Sequence, residues 1–213
     1  MNIIKKLSFH LFPGYCILCG QRTKRDFDLC KKCEHELPYK ENIFIHNVSI
    51  NKFVALFAYQ EPIDHLITKL KFNKKLIYAE ILGTLLMKKI RASYTKDAYP
   101  NLIIPVPLHK KRLKERGYNQ ALEISCPIAK QLNIKIDTIS CKRNKNTLAQ
   151  SSLSATKRSG NIKNAFIVKK PIHGKHIAIV DDVVTTGSTV SELAKAIAKT
   201  GDYKIDIWCI AKT

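Results

Sequence analysis

The sequence predicts an α/β protein: a mainly parallel β-sheet flanked by helices, preceded by a small metal-binding module. From residue 51 onward, short apolar runs alternate with longer segments whose apolar residues recur every three or four positions. Such alternation favours right-handed βαβ units around a parallel sheet. Near the start of the chain, four cysteines form two closely spaced pairs. We therefore predict a module over residues 1–45 and an α/β domain over residues 46–213.

Each element is assigned from its periodicity and from the residues at its ends. Apolar runs predict strands at 51–59, 101–108, 137–143, 164–168, 175–182 and 204–212, the last of which is expected to close the sheet. Helical spacing of apolar residues predicts helices at 61–72, 75–93, 119–132 and 188–201. Pro127 predicts a kink or a restart in the third of these helices. The run at 175–182 is typical of a central parallel strand.

Composition indicates one sizeable domain with an appendage, and charge indicates anionic partners. The chain has 213 residues, of which 45% are hydrophobic, and its formal net charge is +20. Such a charge favours polyanions as partners, although a lysine-rich solvated surface is the alternative. No run approaches the ~18 uncharged apolar residues of a membrane span, and residues 1–16 lack the pattern of a signal peptide. We expect a cytoplasmic protein, not an integral membrane protein, with reduced cysteines.

The cysteine pairs predict a structural zinc site. Cys16, Cys19, Cys30 and Cys33 follow the pattern C-x2-C, ten residues, C-x2-C, which lets two tight turns aim four sulfurs at one tetrahedral ion. Gly20 follows the first pair, where a turn with positive φ is expected. Iron–sulfur and disulfides are the alternatives, and four thiolates leave no open position for catalysis. The remaining cysteines are predicted to be buried apolar thiols: Cys126, Cys141 and Cys209.

Two adjacent acids, Asp181 and Asp182, come at the end of the predicted central strand, and the loop TTGST (185–189) follows them. Ligands of open α/β sheets bind beyond the carboxyl ends of the strands. A small-residue loop before a helix can hold a phosphate, and carboxylates can accept hydrogen bonds from sugar hydroxyls. A sugar 5-phosphate satisfies both halves; a helix cap with a turn is the alternative.

The stretch IAIVDDVVTTGST resembles the signature of the phosphoribosyltransferases, which bind phosphoribosyl pyrophosphate (PRPP). The resemblance implies that Asp181 and Asp182 hold the ribose hydroxyls, and that magnesium arrives with the pyrophosphate of PRPP. It assigns the 5-phosphate to Thr185, Thr186, Gly187, Ser188 and Thr189.

Residues 104–121 and 143–166, together with the four-cysteine module, resemble the ComF family. This resemblance implies a type I phosphoribosyltransferase-like fold. It also implies a cytosolic competence factor for natural transformation, which handles incoming single-stranded DNA at the inner membrane, where other competence proteins would be partners. It covers residues whose roles we do not assign: Thr147, Gln150, Leu153, Arg158 and Asn161.

Two basic segments are candidates for phosphate contact. In a phosphoribosyltransferase, the segment PLHKKRLKERGYNQ is where the pyrophosphate-binding loop falls; its candidates are Lys110, Lys111, Arg112 and Arg116. A nucleic-acid contact or a solvated face is the alternative there. Residues 138–180 contain nine Lys or Arg and no acid, which favours a polyanion contact or a flexible loop. Its candidates are Lys142, Arg143, Lys145, Lys157, Arg158 and Lys163. Phe166, its single aromatic residue, is expected in the core.

Three functions follow from these observations. A ComF-type competence factor that binds PRPP and single-stranded DNA is the first; an active phosphoribosyltransferase with an unidentified acceptor is the second. A PRPP-sensing regulator is the third. No side chain can be identified from the sequence as a catalytic acid or base, so the catalytic residues are unassigned. Catalysis in this fold rests largely on positioning and electrostatics.

Overall fold

A computed structural model describes residues 14–23, 28–41, 50–72, 75–145 and 162–213. Its centre is a five-stranded sheet in which every neighbouring pair is parallel. The strands lie in the order β3 (Lys52–Ala58), β9 (Lys204–Lys212), β8 (His176–Val184), β4 (Leu102–Pro105) and β5 (Lys135–Ile136). The predicted α/β fold with a parallel sheet is therefore confirmed.

Helices cover both faces of this sheet. One face packs on α2 (Ile63–Phe72), α3 (Ile77–Ser93) and α5 (Gln120–Leu132), and the other packs on α6 (Ser188–Ala198). Alternate side chains of β8 enter the two cores: Ala178 and Val180 lie in one, Ile177 and Ile179 in the other. Because successive side chains of a strand point to opposite faces, an unbroken apolar run is what a doubly covered strand requires.

The short strands β6 (Cys141–Arg143) and β7 (Phe166–Val168) do not join the central sheet. They pair with each other as a separate antiparallel ribbon. The last strand is not at the sheet edge either, because β9 lies between β3 and β8. The expectation that residues 204–212 close the sheet is therefore wrong, since the chain returns to pair with the first strand of the domain.

Pro127 lies inside one continuous helix, α5, so the expected restart there is wrong. The helix passes very close to α3, since a Cβ placed on Gly83 would lie 2.5 Å from both the Ile124 carbonyl oxygen and Pro127 Cγ. The absence of a side chain at Gly83 therefore lets the two helices approach, and Pro127 packs into that contact as a buried residue.

The N-terminal module comprises β1 (Gly14–Tyr15), β2 (Arg22–Thr23) and α1 (Lys31–His35). Its Leu29 and Leu37 belong to the same core as α3, and Lys88 Nζ lies 3.0 Å from Glu34 Oε1. The module is thus packed on the α/β domain. The boundary predicted near residue 45 falls within 42–49, outside the described residues.

A buried polar network lies at the amino-terminal end of the sheet. Asp206 is fully buried, and its carboxylate accepts from Asn51 Nδ2 at 2.6 Å and Tyr94 Oη at 2.8 Å, with His176 Nε2 at 2.7 Å. Burial, and then the charge of Asp206, raises the pKa of Tyr94 well above its usual range, so the phenol stays protonated and can donate. This network satisfies a buried charge at the end of the sheet opposite to the site described next.

Candidate functional site at the carboxyl ends of β4 and β8

The order of the strands places a crevice between β4 and β8. After β4 the chain crosses to β5 on one side, and after β8 it crosses to β9 on the other side. The two connections therefore leave the sheet in opposite directions, and ligands of open α/β sheets bind at such a switch point, outside the carboxyl ends of the strands.

The two predicted acids lie at this switch point, inside β8 and not after it. The last β4–β8 pair is Pro105 with Val180, while β8 continues beside β9 to Val184. Asp181 and Asp182 therefore have a neighbouring strand on one side only, and the other side opens at the end of β4. Both are nonetheless buried, with 8% and 4% of their surface exposed.

Lys71, at the end of α2, pairs with one of the two acids. Its Nζ lies 2.9 Å from Asp182 Oδ2. Burial opposes the ionisation of Asp182, but the Lys71 ammonium outweighs burial and holds the pKa of this carboxyl below its usual value. Burial, and then the negative charge of Asp182, raises the pKa of Asp181 to about 8. At neutral pH the pair therefore carries one carboxylate and one protonated carboxyl, as two adjacent buried acids require.

The loop after β8 forms a small hollow at the start of α6. Gly187, which precedes this helix, has φ of +79°, a conformation that glycine adopts without strain. Thr186 Oγ1 lies 2.7 Å from Ser188 Oγ. The hollow is lined by both the loop and the strand end: Asp181, Val183, Val184, Thr185, Gly187, Ser188, Thr189 and Val190. Hydroxyls and helix N–H groups thus lie beside Asp181 in one hollow, and their chemistry suits a phosphate.

The basic segment after β4 is a helix, α4 (Lys110–Arg116), and not the expected loop. His109 caps its start, and Gly117 ends it with φ of +83°, as expected for the turn before α5. Arg112 and Arg116 share one face of this helix. The remaining two candidates, Lys110 and Lys111, are exposed.

Arg143, from β6, lies close to this arginine face. Burial, and then the charge of Arg112, lowers the pKa of Arg143, while Asp181 opposes that shift. Burial, and then Arg116, lowers the pKa of Arg112. Arg116 Nη1 donates to Gln120 Oε1 at 2.8 Å. Arg112 is thus near enough to both Arg116 and Arg143 for its charge to act on theirs. Arg143 and Arg116 are in turn within electrostatic reach of Asp181 and Asp182, respectively, and such a basic set favours an anion nearby.

The other candidates of the acid-free segment lie apart from the acids where they are described. Lys142, Lys145 and Lys163 are exposed, and Lys145 Nζ donates to the Lys163 carbonyl at 2.8 Å. Phe166 is buried, as expected. Several candidates lie outside the described residues: Lys157, Arg158, Thr147, Gln150, Leu153 and Asn161.

The sequence analysis missed two residues near the acids. Lys71 and Phe72 end α2, and neither stands in a recognisable motif. Phe72 is 69% exposed, and the Arg116 guanidinium carbon lies 5.5 Å from its ring centroid. Tyr118 Oη donates to the Leu70 carbonyl. The end of α2 is therefore held against α4 and the start of α5, and only this packing reveals it as a wall of the site.

The four paired cysteines form one cluster. Their Sγ atoms all lie within 4.8 Å of one another, and Cys19 Sγ lies 3.8 Å from Cys30 Sγ. Sulfurs around tetrahedral zinc, with Zn–S of about 2.3 Å, are about 3.8 Å apart. The set therefore fits zinc, and Gly20 has the expected positive φ of 72°.

The protonation of these thiols also indicates a cation site. Burial raises the pKa of Cys16, but backbone N–H groups of neighbouring residues outweigh burial and lower it to about 6. Burial, and then the adjacent thiols, raises the pKa of Cys33 far above its usual value. The fold thus prepares thiolates that cannot all ionise together without a divalent cation, and bound zinc supplies that charge.

Two of the three single cysteines are buried as predicted, and one is not. Cys141 and Cys209 are buried, whereas Cys126 is exposed. Helix α5 directs Ile124 and Ile128 into the core, and a residue midway between them points away from it. The prediction for Cys126 is therefore wrong because helical spacing, and not apolar character, decides its exposure.

Within the described ranges, no helix combines the length and the apolar character needed to cross a membrane.

Known proteins are similar to this chain over most of its length. The family of double zinc ribbon domains matches residues 8–43. The DNA utilization protein YhgH of Escherichia coli (strain K12) is 34% identical over 208 residues, which cover 94% of this chain and 91% of that protein. Competence protein F of Haemophilus influenzae is 36% identical over 208 residues, covering 93% and 90%. A solved purine phosphoribosyltransferase from Pyrococcus horikoshii Ot3 is 21% identical and covers 75% of this chain and 77% of its own, with a TM-score of 0.36.

The parallel sheet, the acids and loop at its switch point and the four-cysteine centre define an α/β protein with an N-terminal zinc ribbon. Identity above 30% along nearly the whole of two relatives identifies the family more closely. This chain belongs to the ComF family, as the resemblance of its motifs implied.

Replacing one zinc ligand should release the ion and destabilise the fold. Cys33→Ser should reduce bound zinc well below one equivalent and lower Tm by roughly 5–10 °C, at about 2–4 °C per kcal/mol for a chain of this size. Zinc content by atomic absorption and Tm by differential scanning calorimetry measure the two effects. Cys126→Ser, which removes an exposed thiol outside the cluster, is the matched control. Full zinc content in Cys33→Ser would contradict the four-ligand site.

The raised pKa of Asp181 should make stability depend on pH. The folded chain holds an extra proton between the ordinary pKa of 3.8 and the folded value of about 8. The free energy of unfolding should therefore fall as pH rises through this window, and level off above it. Asp181→Asn removes this contribution. As pH rises through the window, wild type should therefore lose stability relative to the variant, by at most about 1.4 kcal/mol per pH unit. Urea denaturation across the window measures the difference, and a difference that does not change with pH would count against the raised pKa.

Proposed function

We propose that this protein is a ComF-type competence factor that binds PRPP, with magnesium, at the switch point between β4 and β8. In this proposal it handles incoming single-stranded DNA on the cytosolic side of the inner membrane. The observation that carries the PRPP assignment is the joint placement of two buried acids, a small hollow lined by hydroxyl residues and three arginines at one edge of the sheet. The printed names of the relatives, a competence protein and a DNA utilization protein, support the biological role.

The acids suit the ribose of PRPP. Asp182 Oδ2 is buried and has the Lys71 charge beside it, but within the described residues it has no well-directed hydrogen bond. A ribose hydroxyl would donate to this oxygen. The protonated carboxyl of Asp181 can both donate and accept, so the vicinal hydroxyls would meet complementary groups without a second buried charge. The 5-phosphate would then lie in the hollow of residues 185–189.

The arginines suit the pyrophosphate of PRPP. Arg112 and Arg116 belong to the helix that follows β4, and Arg143 belongs to β6, whereas the phosphate loop follows β8. Guanidinium groups bind phosphate oxygens in pairs of parallel hydrogen bonds, and their mutual repulsion falls when an anion lies between them. Magnesium would arrive on the pyrophosphate oxygens, whose negative charge it would partly neutralise.

The DNA assignment rests on charge. The exposed lysines of the acid-free segment include Lys142, Lys145, Lys163 and Lys169. Contacts of this kind follow the phosphate backbone of a strand and are independent of its sequence.

PRPP with magnesium should stabilise the wild-type protein. At a concentration of about 100 times Kd, the stabilisation is about 2.7 kcal/mol, or a rise in Tm of roughly 5–10 °C. Asp181→Asn combined with Asp182→Asn should abolish this rise, because each amide replaces one acceptor oxygen with an NH2 donor and the charge of Asp182 is lost. Differential scanning fluorimetry with and without PRPP measures it. Glu80→Gln with Asp202→Asn, two exposed acids, is the charge-matched control and should keep the rise. An unchanged rise in the first variant would remove the ribose assignment.

The same pair of variants tests the competence role. In a naturally transformable host that carries this gene, Asp181→Asn with Asp182→Asn should lower the transformation frequency to that of a deletion strain. The Glu80/Asp202 control should transform normally. Protein levels by immunoblot establish that the variant is present. Normal transformation by a deletion strain would refute the competence role, and normal transformation by the Asp181/Asp182 variant would separate that role from the pocket.

A further inference from the structure

We infer that a second ligand site, for a nucleoside phosphate, lies in a cleft beside the proposed PRPP pocket and shares helix α4 with it. The cleft has a volume of about 760 Å³ and opens between the end of β4, helix α4, the start of α5 and the β6–β7 ribbon. Ligand pockets of folded proteins commonly have volumes of about 300–1,000 Å³. The cleft is therefore large enough for a nucleotide.

Hydrogen bonds fix the shape of the cleft. Asn119 Nδ2 donates to the Val106 carbonyl at 3.1 Å, and Asn119 Oδ1 accepts from the Ala121 N–H at 3.1 Å. These contacts join the end of β4 to the start of α5. On the opposite side, the Lys169 N–H donates to the Ser140 carbonyl at 2.8 Å, which holds the end of the ribbon. A pocket with fixed walls pays little ordering cost when it binds a ligand.

The lining combines apolar surface with positive charge. Pro107, Leu113 and Leu122 provide apolar surface, and the exposure of Leu113, 42% on a short basic helix, is explained by its place in the cleft. Lys110, from α4, faces the lysines of the ribbon across this surface.

The ribbon contributes Lys142, Arg143 and Lys169, so the lining carries four cations in all. Two acids, Glu123 and Asp137, also line it. The Asp137 carboxylate already accepts from the Ile139 and Ser140 N–H groups at 2.9 Å.

The excess of cations over acids indicates an anionic ligand, and the apolar surface indicates that the ligand also has an uncharged, flat part. A nucleoside phosphate combines the two: the base packs on apolar surface, and the phosphate meets lysines on the rim. Its source is either a free nucleotide or the end of a single strand, and the two share this chemistry.

Helix α4 forms a wall of both sites. Arg112 and Arg116 lie on the face toward the acids, whereas Lys110, Leu113 and Gly117 recur on an adjacent face and line the cleft. Arg143 also lines the cleft, and the charge of Asp181 acts on it. The two ligands therefore share one wall, so an effect of either ligand on the position of α4 changes the affinity for the other, and the coupling is reciprocal.

The test measures binding of fluorescein-labelled dT10 by fluorescence anisotropy to the full chain. Lys142→Glu with Lys169→Glu should weaken binding at least about tenfold, because two phosphate contacts become repulsive. Lys199→Glu with Lys204→Glu alters the net charge equally at exposed sites that lie outside the cleft lining and far from it along the chain, and should cost less than about threefold. Equal losses in the two variants would overturn the site, because only the overall charge would then matter.

The variant Leu113→Ala and two competing ligands, dTMP and inorganic phosphate, test whether the apolar lining of the cleft binds a nucleoside. Leu113 is already exposed, so the variant should fold normally, which Tm checks, and should weaken binding of dT10 several-fold. If dTMP displaces dT10, the cleft binds a nucleoside phosphate and its ligand is a free nucleotide. If dT10 binds and dTMP does not displace it, the ligand of the cleft is the end of a single strand. Displacement by inorganic phosphate at the same concentration as dTMP, or unchanged affinity of Leu113→Ala, would overturn the nucleoside assignment.

The coupling rests on the proposed function, and its failure is separable from failure of the cleft. PRPP with magnesium should raise the affinity of wild type for dT10, and Asp181→Asn with Asp182→Asn should show no response to PRPP. A wild type that binds PRPP, by its rise in Tm, yet shows no change in dT10 affinity would overturn the shared wall. Failure of PRPP to raise Tm would instead count against the proposed function, and the dT10 affinities of the Lys142/Lys169 and Leu113 variants would still test the cleft.

Discussion

The site depends on the position of β8 in the middle of the sheet and on its length. Helices bury this strand on both faces. Along its apolar first half it pairs with both β9 and β4. It then continues beyond the last residue of β4, which leaves Asp181 and Asp182 in a buried position with one side open. A shorter β8 would place the acids in a solvated loop, where neither the raised pKa of Asp181 nor the ion pair with Lys71 would arise.

Electrostatics then divides the site into complementary parts. One carboxylate is balanced by Lys71, while Arg112, whose charge opposes those of Arg116 and Arg143, lies on the helix after β4. In the proposed complex, PRPP would present its ribose hydroxyls to the acids and its pyrophosphate to the arginines. The zinc ribbon contributes from a distance, because Leu29 and Leu37 extend the core against which α3 packs.

The sequence was a good guide wherever a function rests on neighbouring residues. The acids, the loop after them and the zinc ligands are contiguous or two residues apart, so their geometry follows from local backbone. It was a poorer guide to Lys71 and Phe72, which reach the site only because α2 ends beside α4. Arg143 is similar: its motif suggested a loop or a DNA contact, whereas pairing of β6 with β7 brings it near Arg112. Cys126 was misjudged since exposure on a helix is set by its angle and not by residue type.

By itself, the sequence determined the class of fold, the four-cysteine cluster and the placement of the two acids before a small-residue loop, because periodicity and short spacing are properties of the local chain. Tertiary structure alone decided the order of the strands, the protonation of the acid pair and the cleft beside α4. Each of these depends on residues far apart in sequence, whose distances are set only when the sheet and its helices pack together. Local pattern carries no information on which distant charge will lie beside a buried carboxyl, and the free energy of that contact depends on the burial that packing creates.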